Sequence, residues 1–409
     1  MQQLRKSAKQ AAESLYMMSD KQIADILSAV CQKLSEKKAF ILGQNRNDLK
    51  LAEANGLSSL RLQRLALTPA SFDEAIERMR QLAGQSEIVN VCEQSWNLPN
   101  HMTAARKKVP IGAVAAVYET RPTATFDIMA MCLRTGNSCI LRSGSEMLET
   151  NRAIVSLAQN ALTECGLPVK AVQLLEDCSE DALCRLLESR SLDLVLARGS
   201  QRLITLVREV AKIPWLCLGP GNCHVYVDKA ADEDMALEII ATAKSKPLLC
   251  NSVETALIHY EIADSFLPKL AARLFQEGVS LHGCPDSCRI SSVIQPISEQ
   301  EYASEANDLI LDVRIVSDIE QAVEHIKHYG SGHSEAIVTN DSEAAAQFSN
   351  RVDAGVVYTN ASPRFTDSES LGLGMEVGIS TQKLHIRGPV TLSGLTTWKY
   401  VVQGCGNTR

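Results

Sequence analysis

The sequence predicts an α/β fold with two doubly wound parallel sheets. Strand-length apolar runs alternate with helix-length amphipathic stretches, and this alternation stops near Asp228 and then restarts. Strands separated by helices pair in parallel, with helices on both faces of the sheet. The chain has 409 residues, 45% of them hydrophobic, which is more than one core usually serves. We therefore expect a division into residues 1–228, 229–370 and 371–409.

The first segment begins with helices and continues with the alternating pattern. Residues 1 to about 90 show helical periodicity, and Ser71 followed by Glu74 resembles a capping box. Strand-length apolar runs and helical stretches then follow one another. The predicted strands are Ile111–Tyr118, Ser138–Leu141, Val172–Leu175 and Leu192–Leu196, and the predicted helices are Pro122–Thr135, Glu146–Cys165 and Ser179–Leu187.

The second segment repeats this pattern, beginning with a helix that Asp232 caps. Its predicted strands are Thr255–His259, Glu335–Thr339 and Gly355–Thr359, and its predicted helices are Ile262–Gln276, Ile319–Tyr329 and Ser342–Val352. The remaining C-terminal residues are predicted as strands and turns. Among them Leu395–Val402 is rich in β-forming residues, and an unpaired terminal strand usually requires a partner.

Composition excludes several classes of protein. The net charge is −7, Lys and Arg are scattered, and aromatic residues make up only 4%, so no nucleic-acid surface is expected. No stretch approaches the ~20 apolar residues that span a bilayer. Residues Met1–Tyr16 lack the apolar core and cleavage site of a signal peptide. We therefore predict a soluble cytoplasmic protein.

Cysteine usage agrees with a reducing compartment. The thirteen cysteines are irregularly spaced and form no Cys-x-x-Cys, which argues against a disulfide framework and a zinc ribbon. Cys284 and Cys288 are a tight pair with His282 nearby, yet no second cluster completes four metal ligands. We predict no metal site.

Cys250 is the cysteine whose surroundings best suit a nucleophile. It lies between a helical stretch and a strand-like run, and small polar residues follow it. A thiol reacts as its thiolate, so its ordinary pKa of ~8.5 must be lowered by nearby cations or by amides at a helix N-terminus. Most of the other cysteines are expected to be small buried apolar residues.

Two turns after predicted strands are candidates for phosphate contacts. Arg142–Glu146 and Ala197–Ser200 each end a strand and open a helix, where backbone amides can meet a phosphate. Arg142 adds a positive charge that suits a phosphate, including the 2′-phosphate of NADP. Neither turn has the Gly-x-Gly-x-x-Gly spacing, so on spacing alone each is a weak signal, and ordinary βα turns explain them better.

The chain also carries a series of distinctive short motifs in a fixed order. They are Tyr118–Pro122, Gly221–Asp228, Cys250–Asn251, Glu254–Thr255, His333–Ile337, Asn360–Ser362, Arg364–Asp367, Ile379–His385 and Arg387–Pro389. In this order they resemble the gamma-glutamyl phosphate reductases, also called glutamate-5-semialdehyde dehydrogenases, within the aldehyde dehydrogenase superfamily. The resemblance covers essentially the whole chain.

The resemblance implies an aldehyde-dehydrogenase-like fold and a defined reaction. Residues 1–228 would bind NADP, residues 229–370 would carry the nucleophile, and residues 371–409 would return and form a small β oligomerisation element. The implied reaction is the NADPH-dependent reduction of L-glutamyl 5-phosphate to L-glutamate 5-semialdehyde and phosphate, the second step of proline biosynthesis from glutamate. Cys250 would form a thioester, and the Cys250 amide with the Asn251 side chain would meet the oxyanion.

The motifs and turns together give the candidate site residues. The catalytic candidates are Cys250 and Asn251; the cofactor candidates are Arg142, Ser143, Gly144, Ser145, Glu146, Gly199, Ser200, Gly221 and Asn222; the substrate candidates are Arg121, His333, Ser334, Arg364 and Thr366. For His224, a packed histidine is at least as good an interpretation as a direct role. The family also implies a homo-oligomer, dimer or tetramer, and an association with glutamate kinase is a further hypothesis.

Other functions remain open at this point. A hydrolytic aldehyde dehydrogenase would need a glutamate base upstream, where this chain has Trp215–Gly219. The chain departs from the family pattern at five positions: Thr120, Thr123, Ser143, Lys246 and Ser368. These departures leave room for a diverged paralogue with an altered substrate or weak activity, or for a weakly catalytic partner of a glutamate kinase.

Overall fold

The computed structural model describes residues 1–245 and 249–408. The chain divides into two compact units. The first unit comprises Met1–Leu218 with Gly374–Gly378 and Val390–Arg409, and the second comprises Gly219–Leu373 with Ile379–Pro389.

Five helices open the first unit: α1 (Gln2–Tyr16), α2 (Asp20–Glu36), α3 (Lys38–Ala54), α4 (Ser59–Leu65) and α5 (Pro69–Ala83). The predicted capping box at Ser71 and Glu74 is wrong, because Thr68 is the N-cap of α5. Its hydroxyl accepts a hydrogen bond from the Ser71 backbone N–H at 3.1 Å. Pro69 then occupies the first helical position, where its missing N–H has no helical partner to lose.

Strands and helices alternate through the rest of this unit. In order they are β1 (Cys92–Asn97), β2 (Thr103–Pro110), β3 (Ala113–Tyr118), α6 (Pro122–Arg134), β4 (Ser138–Arg142), α7 (Leu148–Glu164), β5 (Val172–Leu174), α8 (Glu180–Leu187), β6 (Leu194–Arg198), α9 (Gln201–Val210) and β7 (Trp215–Leu218). The predicted strands and helices are all present. Glu146, predicted as the helix start, instead lies in the 3-10 turn Ser145–Met147.

A five-stranded parallel sheet organises these elements in the order β5-β4-β3-β6-β7. The central strand β3 is buried along its whole length, as expected for a parallel strand covered on both faces. The chain moves from β3 to one side through β4 and β5, and then returns to the other side at β6. The strand order therefore reverses between β3 and β6, where ligands bind in sheets of this kind.

The second unit contains a larger parallel sheet. The helices and strands of this unit are β8 (Cys223–Val227), α10 (Glu233–Lys244), β9 (Val253–His259), α11 (Tyr260–Gln276), β10 (Ser280–Gly283), α12 (Pro285–Ile290), β11 (Gln295–Pro296), β12 (Ile310–Val316), α13 (Ile319–Tyr329), β13 (Ser334–Val338), α14 (Ser342–Arg351), β14 (Val356–Thr359), β15 (Ile379–Ser380) and β16 (Gly388–Pro389). β15 and β16 form a separate antiparallel pair. The sheet order is β11-β10-β12-β9-β8-β13-β14. The predicted α/β class with two parallel sheets is confirmed.

The position of β8 differs from the predicted division at Asp228. This strand forms parallel ladders with β9 and with β13, so it belongs to the second sheet rather than to the first segment. Each of its five residues is buried, which a strand between two neighbours requires. The boundary between the units therefore falls at Leu218 and Gly219, before this strand.

The final strand, β17 (Thr396–Gln403), returns to the first unit. It pairs antiparallel with β2, which pairs in turn with β1. The predicted terminal strand is therefore present and has a partner within its own chain. Its exposed face carries Trp398, Tyr400 and Val402, and the guanidinium of Arg106 lies 5.2 Å from the Trp398 ring centre.

Candidate active site

The candidate nucleophile Cys250 is half-buried in the turn between α10 and β9. Contacts on both sides anchor this turn. The Lys244 ammonium at the end of α10 lies 2.9 Å from the Glu254 carboxylate in β9, and both side chains are buried. The Ser252 hydroxyl donates to the Ala243 carbonyl at 2.9 Å. The predicted departure at Lys246 lies outside the described residues.

Burial gives two carboxyl groups near this turn unusual proton affinities. It raises the pKa of Glu254 to about 7, although the Lys244 charge opposes the shift. It also raises the pKa of Asp312 to about 7, and the nearby Glu254 charge adds to that shift. Both groups therefore gain and lose protons close to neutral pH.

The backbone of Cys250 is packed tightly against the start of β8. A Cβ atom built on Gly221 would lie 1.6 Å from the Cys250 carbonyl oxygen, so only glycine fits there. The Cys223 thiol donates to the same oxygen at 3.3 Å. The Gly221 N–H donates to the Glu305 carboxylate.

Asn222, predicted as a cofactor residue, ties β8 to neighbouring segments. Its side-chain amide donates to the carbonyls of Tyr302 and Tyr329, each at 2.8 Å. Its backbone N–H donates to the Ser331 hydroxyl at 3.0 Å. Gly221 therefore lies against the nucleophile turn, Asn222 holds the start of β8 to neighbouring segments, and a cofactor role for either residue stays a prediction.

The Asn251 side chain is fully engaged with the segment that follows β14. Its amide nitrogen donates to the carbonyls of Arg364 at 3.0 Å and Thr366 at 3.1 Å, and the Arg364 guanidinium donates to its amide oxygen. Both amide hydrogens are used, so in this arrangement the side chain cannot supply the predicted oxyanion contact.

The Arg364 guanidinium is held by the side chain of Asn251, the residue that follows Cys250. Burial lowers the pKa of Arg364, and the charges of Cys250 and Asp367 oppose that lowering. A guanidinium beside a thiol favours the thiolate, which is the reactive form. The structure thus provides a cation of the kind that a nucleophilic cysteine requires.

Three of the substrate candidates form a buried hydrogen-bonded chain. The His333 Nδ1 atom lies 2.8 Å from the Ser334 hydroxyl, which donates to the Thr366 hydroxyl at 2.6 Å. The Tyr358 hydroxyl lies 2.9 Å from the same Thr366 oxygen. The chain continues towards the nucleophile, because His333 Nδ1 also lies 3.7 Å from the Cys223 sulfur.

His224 is a packed histidine in this structure. Its backbone N–H and its Nδ1 atom lie 2.8 and 2.9 Å from one Glu335 carboxylate oxygen. Both side chains are fully buried, and the His224 ring packs edge-on against His325 at 5.3 Å. These contacts join β8 to β13.

The first predicted cofactor turn, after β4, is held by a buried polar chain. The Asn151 amide donates to the Ser143 hydroxyl at 2.7 Å and accepts from the Thr125 hydroxyl at 2.6 Å. The Tyr118 hydroxyl lies 2.8 Å from that of Thr125. The substituted residue Ser143 therefore has a defined structural contact.

Arg142 is anchored at the same turn. Its guanidinium donates to the Cys178 carbonyl at 2.6 Å. Within the described residues, its Nε atom is buried and has no hydrogen-bond partner. Such an unsatisfied donor suits a ligand acceptor.

The helix N-termini beside both predicted turns already have carboxylate partners. The Asp48 carboxylate accepts from the Glu149 and Thr150 backbone N–H groups of α7, at 3.3 and 2.8 Å. The Glu119 carboxylate accepts from the Ser200 N–H at 2.7 Å and from its hydroxyl at 2.9 Å. The Ser200 amide, one of those expected to meet a phosphate, is thus bonded within the chain, whereas a phosphate contact of the Arg142–Glu146 amides stays a prediction.

The other residues of these turns also pack against carboxylates. The Thr120 hydroxyl donates to the Glu146 carboxylate. A Cβ atom on Gly144 would lie 2.2 Å from that carboxylate, and one on Gly199 would lie 2.7 Å from Glu119. Ser145 is exposed in the 3-10 turn.

Comparison with known proteins places the chain in a family. Residues 1–308 match the aldehyde dehydrogenase family. Gamma-glutamyl phosphate reductase of Moorella thermoacetica is 42% identical over 404 residues, covering 98% of this chain and 97% of that protein. The crystal structure of gamma-glutamyl phosphate reductase from Thermotoga maritima has a TM-score of 0.95 at 37% identity, covering 100% of this chain and 99% of that one. This chain belongs to the gamma-glutamyl phosphate reductase family.

Membership of the reductase family confirms the resemblance and the aldehyde-dehydrogenase-like fold that it implied. A further relative, gamma-glutamyl phosphate reductase of Bacillus mycoides, is 40% identical and covers 99% of this chain and 98% of its own length. The agreement thus extends over nearly the whole chain, including both units.

The structure also gives the positions of Arg121, a substrate candidate, and of Thr123 and Ser368, where the chain departs from the family pattern. Arg121 is exposed at the N-cap of α6, in the first unit, whereas the other substrate candidates lie in the second. Thr123 is half-buried in the first turn of α6. Ser368 is 3% exposed and accepts the Leu373 N–H through its carbonyl.

Several contacts of this reductase-family site were not predicted. Cys223 lies within the motif Gly221–Asp228 and Glu119 within the motif Tyr118–Pro122, so their positions are a signal, but nothing in the sequence indicates their contacts. Lys244, Asp312 and Tyr358 lie in none of these motifs. Only the strand pairing of β12 with β9 and the hydrogen bonds described above bring them into place.

Metal and membrane features can be stated for residues 1–245 and 249–408. No group of three or more His, Cys, Asp or Glu is arranged there to hold a metal ion. The helices in these ranges are too short or too polar to cross a bilayer. Cys288, one of the tight cysteine pair in the sequence, donates its thiol hydrogen to the Gly283 carbonyl at 3.5 Å.

The two buried carboxyl groups predict how stability depends on pH. Their folded-state pKa values of about 7 exceed the ordinary values of 4.5 for Glu254 and 3.8 for Asp312. The folded state therefore binds protons more tightly, and the free energy of unfolding decreases as the pH rises from about 4 to about 7. We expect Asp312→Asn to flatten this decrease by up to roughly 4 kcal/mol, because the pKa of Asp312 rises from 3.8 to about 7 and each pKa unit corresponds to about 1.4 kcal/mol. Urea unfolding, followed by circular dichroism at several pH values, measures the free energy of unfolding of each variant.

Asp308→Asn is the matched control, because Asp308 is exposed in the same unit. Its pH profile should follow that of the unmodified protein. Identical pH profiles for Asp312→Asn and Asp308→Asn would show that the Asp312 carboxyl does not titrate as described.

Proposed function

We propose that this protein catalyses the NADPH-dependent reduction of L-glutamyl 5-phosphate to L-glutamate 5-semialdehyde and phosphate, in proline biosynthesis. The observation that carries the proposal is the anchored Cys250 turn with Arg364 beside it, in a chain 42% identical over nearly its full length to a gamma-glutamyl phosphate reductase. Cys250 would supply the nucleophile, and an acyl phosphate is a suitable substrate for it because phosphate is a good leaving group.

The reaction begins with covalent catalysis. The Cys250 thiolate attacks the acyl carbon of the substrate and forms a C–S bond. The bond from that carbon to the phosphate oxygen breaks, and phosphate leaves with the electron pair. The Arg364 guanidinium favours the thiolate and offers a charge partner to phosphate.

The residues of the first unit fit a nucleotide cofactor at the strand-order reversal between β3 and β6. Arg142 presents a buried, unsatisfied Nε donor at the end of β4, beside β3. The turns that follow β4 and β6 contain Ser143, Gly144, Ser145, Glu146, Gly199 and Ser200. We assign the NADP contacts to these residues. NADPH, when bound, supplies hydride to the acyl carbon.

Release of product returns the thiol. Hydride addition to the thioester carbon leaves a tetrahedral oxyanion bonded to Cys250. Its collapse re-forms the C=O bond and breaks the C–S bond, so the aldehyde leaves and the electron pair goes to the Cys250 sulfur, which regains the thiol by taking up a proton. The Cys250 backbone amide is our proposed oxyanion donor, because the Asn251 side chain is engaged with Arg364 and Thr366. No activated water takes part, and β7 carries no carboxylate.

Asn251 then acts through the segment that it holds. It fixes Arg364 by both backbone and side-chain contacts, while Ser334 and His333 support Thr366. We propose that Arg364 and Thr366 meet the substrate and that His333 and Ser334 set their position. Arg121 is a further proposed substrate contact.

The first test is the reverse reaction with purified protein, glutamate 5-semialdehyde and inorganic phosphate. We expect NADP to be reduced only when phosphate is present, and Cys250→Ala to lower the rate by at least about a thousandfold, because the nucleophile is lost. Absorbance at the NADPH band measures the rate, with NAD tested separately. Reduction without phosphate would indicate a hydrolytic dehydrogenase, and retained activity in Cys250→Ala would exclude the thioester.

A second test examines the space at Gly221. Gly221→Ala places a methyl group against the Cys250 carbonyl and must shift the nucleophile. A misplacement of about 1 Å costs roughly a hundredfold in rate, so we expect kcat to fall by that factor. Gly43→Ala is the control, since a Cβ there meets only the Arg46 side chain at 3.8 Å. Equal kcat values in the two variants would contradict the assignment of the turn.

We also propose a cytoplasmic homo-oligomer that associates with glutamate kinase. The exposed Trp398, Tyr400 and Val402 on the edge strand β17 support an interface through this sheet. Sedimentation velocity is expected to give a dimer or tetramer, and a heavier complex after glutamate kinase is added. A monomer in the first run, or unchanged sedimentation in the second, would remove the corresponding proposal.

A further inference from the structure

The Cys223 thiol lies against the backbone of the nucleophile turn and takes no part in the chemistry described above. Its side chain is fully buried at the start of β8. Its sulfur lies 3.3 Å from the Cys250 carbonyl oxygen and 3.7 Å from His333 Nδ1. Cys223 thus joins the nucleophile turn to the hydrogen-bonded chain that ends at Thr366 and Tyr358.

We infer that Cys223 is a positioning residue for the nucleophile: its S–H group donates to the Cys250 carbonyl and fixes the peptide that carries the reactive thiol. The inference rests on the proposed function, in which Cys250 is the nucleophile. Cys223 itself forms no bond with the substrate.

The protonation state of Cys223 agrees with a donor role. Burial raises the pKa of this thiol well above its ordinary value, and the charges of Glu335 and Cys250 add to the shift. The sulfur therefore keeps its proton at neutral pH. A protonated sulfur can donate to a carbonyl oxygen, whereas a thiolate there would repel it.

The neighbouring hydrogen bonds have one consistent direction. Ser334 donates its only hydroxyl proton to Thr366, so its oxygen is left to accept from His333 Nδ1–H. This tautomer also directs the Nδ1–H group towards the Cys223 sulfur as a weaker acceptor. The S–H proton is then free to point at the Cys250 carbonyl.

A hydrogen bond that holds the Cys250 carbonyl also holds the rest of the peptide group between Cys250 and Asn251. The peptide between Cys250 and Asn251 is planar, so its C=O and N–H groups point in opposite directions and rotate together. Gly221 leaves room for the oxygen, and Cys223 holds it there. A rotated peptide would shift both the Cys250 side chain and the Asn251 side chain that holds Arg364.

The test compares Cys223→Ala and Cys223→Ser with Cys31→Ala in the full chain. Cys31 is a buried cysteine in α2, far in sequence from the nucleophile turn. Steady-state kcat and KM are measured in the phosphate-dependent reaction, the rate of Cys250 alkylation by iodoacetamide is measured by mass spectrometry, and melting temperatures are recorded for all variants.

Cys223→Ala removes one hydrogen bond to the turn, so we expect kcat to fall roughly three- to tenfold. KM should change less than about twofold, and the alkylation of Cys250 should become slower. Cys223→Ser should recover most of kcat because its hydroxyl can donate, and Cys31→Ala should match the unmodified protein. Unchanged kcat in Cys223→Ala, or an equal loss in Cys223→Ser, would overturn the inference. If Cys223→Ala does not fold, a more than tenfold kcat loss in a folded Cys223→Ser overturns it.

The Cys250→Ala variant separates the two levels of the argument. Activity that survives in Cys250→Ala removes the proposed function, whatever the Cys223 variants do. Activity that requires Cys250 but is the same with and without the Cys223 thiol leaves the proposed function standing and removes only the positioning role.

Discussion

The buried ion pair between Lys244 and Glu254 is the constraint on which the nucleophile turn depends. It joins the last residue of α10 to β9 and so closes the segment that contains Cys250. An isolated buried charge is expensive, so each partner requires the other. The Ser252 contact with Ala243 adds a second closure. Because both ends are fixed, the remaining contacts need only orient the peptide and side chain of one residue.

Those remaining contacts come mostly from side chains that hold other residues of the site in place. Asn251 holds the Arg364 segment, Ser334 and Tyr358 hold Thr366, and Cys223 holds the Cys250 carbonyl. Preorganisation of this kind lets a few groups act on a substrate without rearrangement during the reaction. The same density of contacts explains why Gly221 has no room for a side chain.

Much of this architecture could be predicted from the sequence. The sequence pattern predicts the helix Ile319–Tyr329 with the bounds that the structure has, and the structure adds that Asp318 caps it. Cys250 was identified from its motif. The engagement of the Asn251 amide could not be foreseen, because its partners are 113 and 115 residues away in sequence. The membership of β8 in the second sheet depends on strand pairing with β13, which leaves no local signal.

The carboxylates of Asp48 and Glu119 have a consequence for the first unit as a binding surface. Each one neutralises the partial positive charge of a helix N-terminus that would otherwise attract an anion. A second anion placed directly against either of these amide groups would meet a like charge. In the function proposed above, recognition of a phosphorylated ligand by this unit then falls to cationic and neutral side chains such as Arg142. Ligand selectivity would in that case be set by side-chain identity, which substitution can change without altering the backbone.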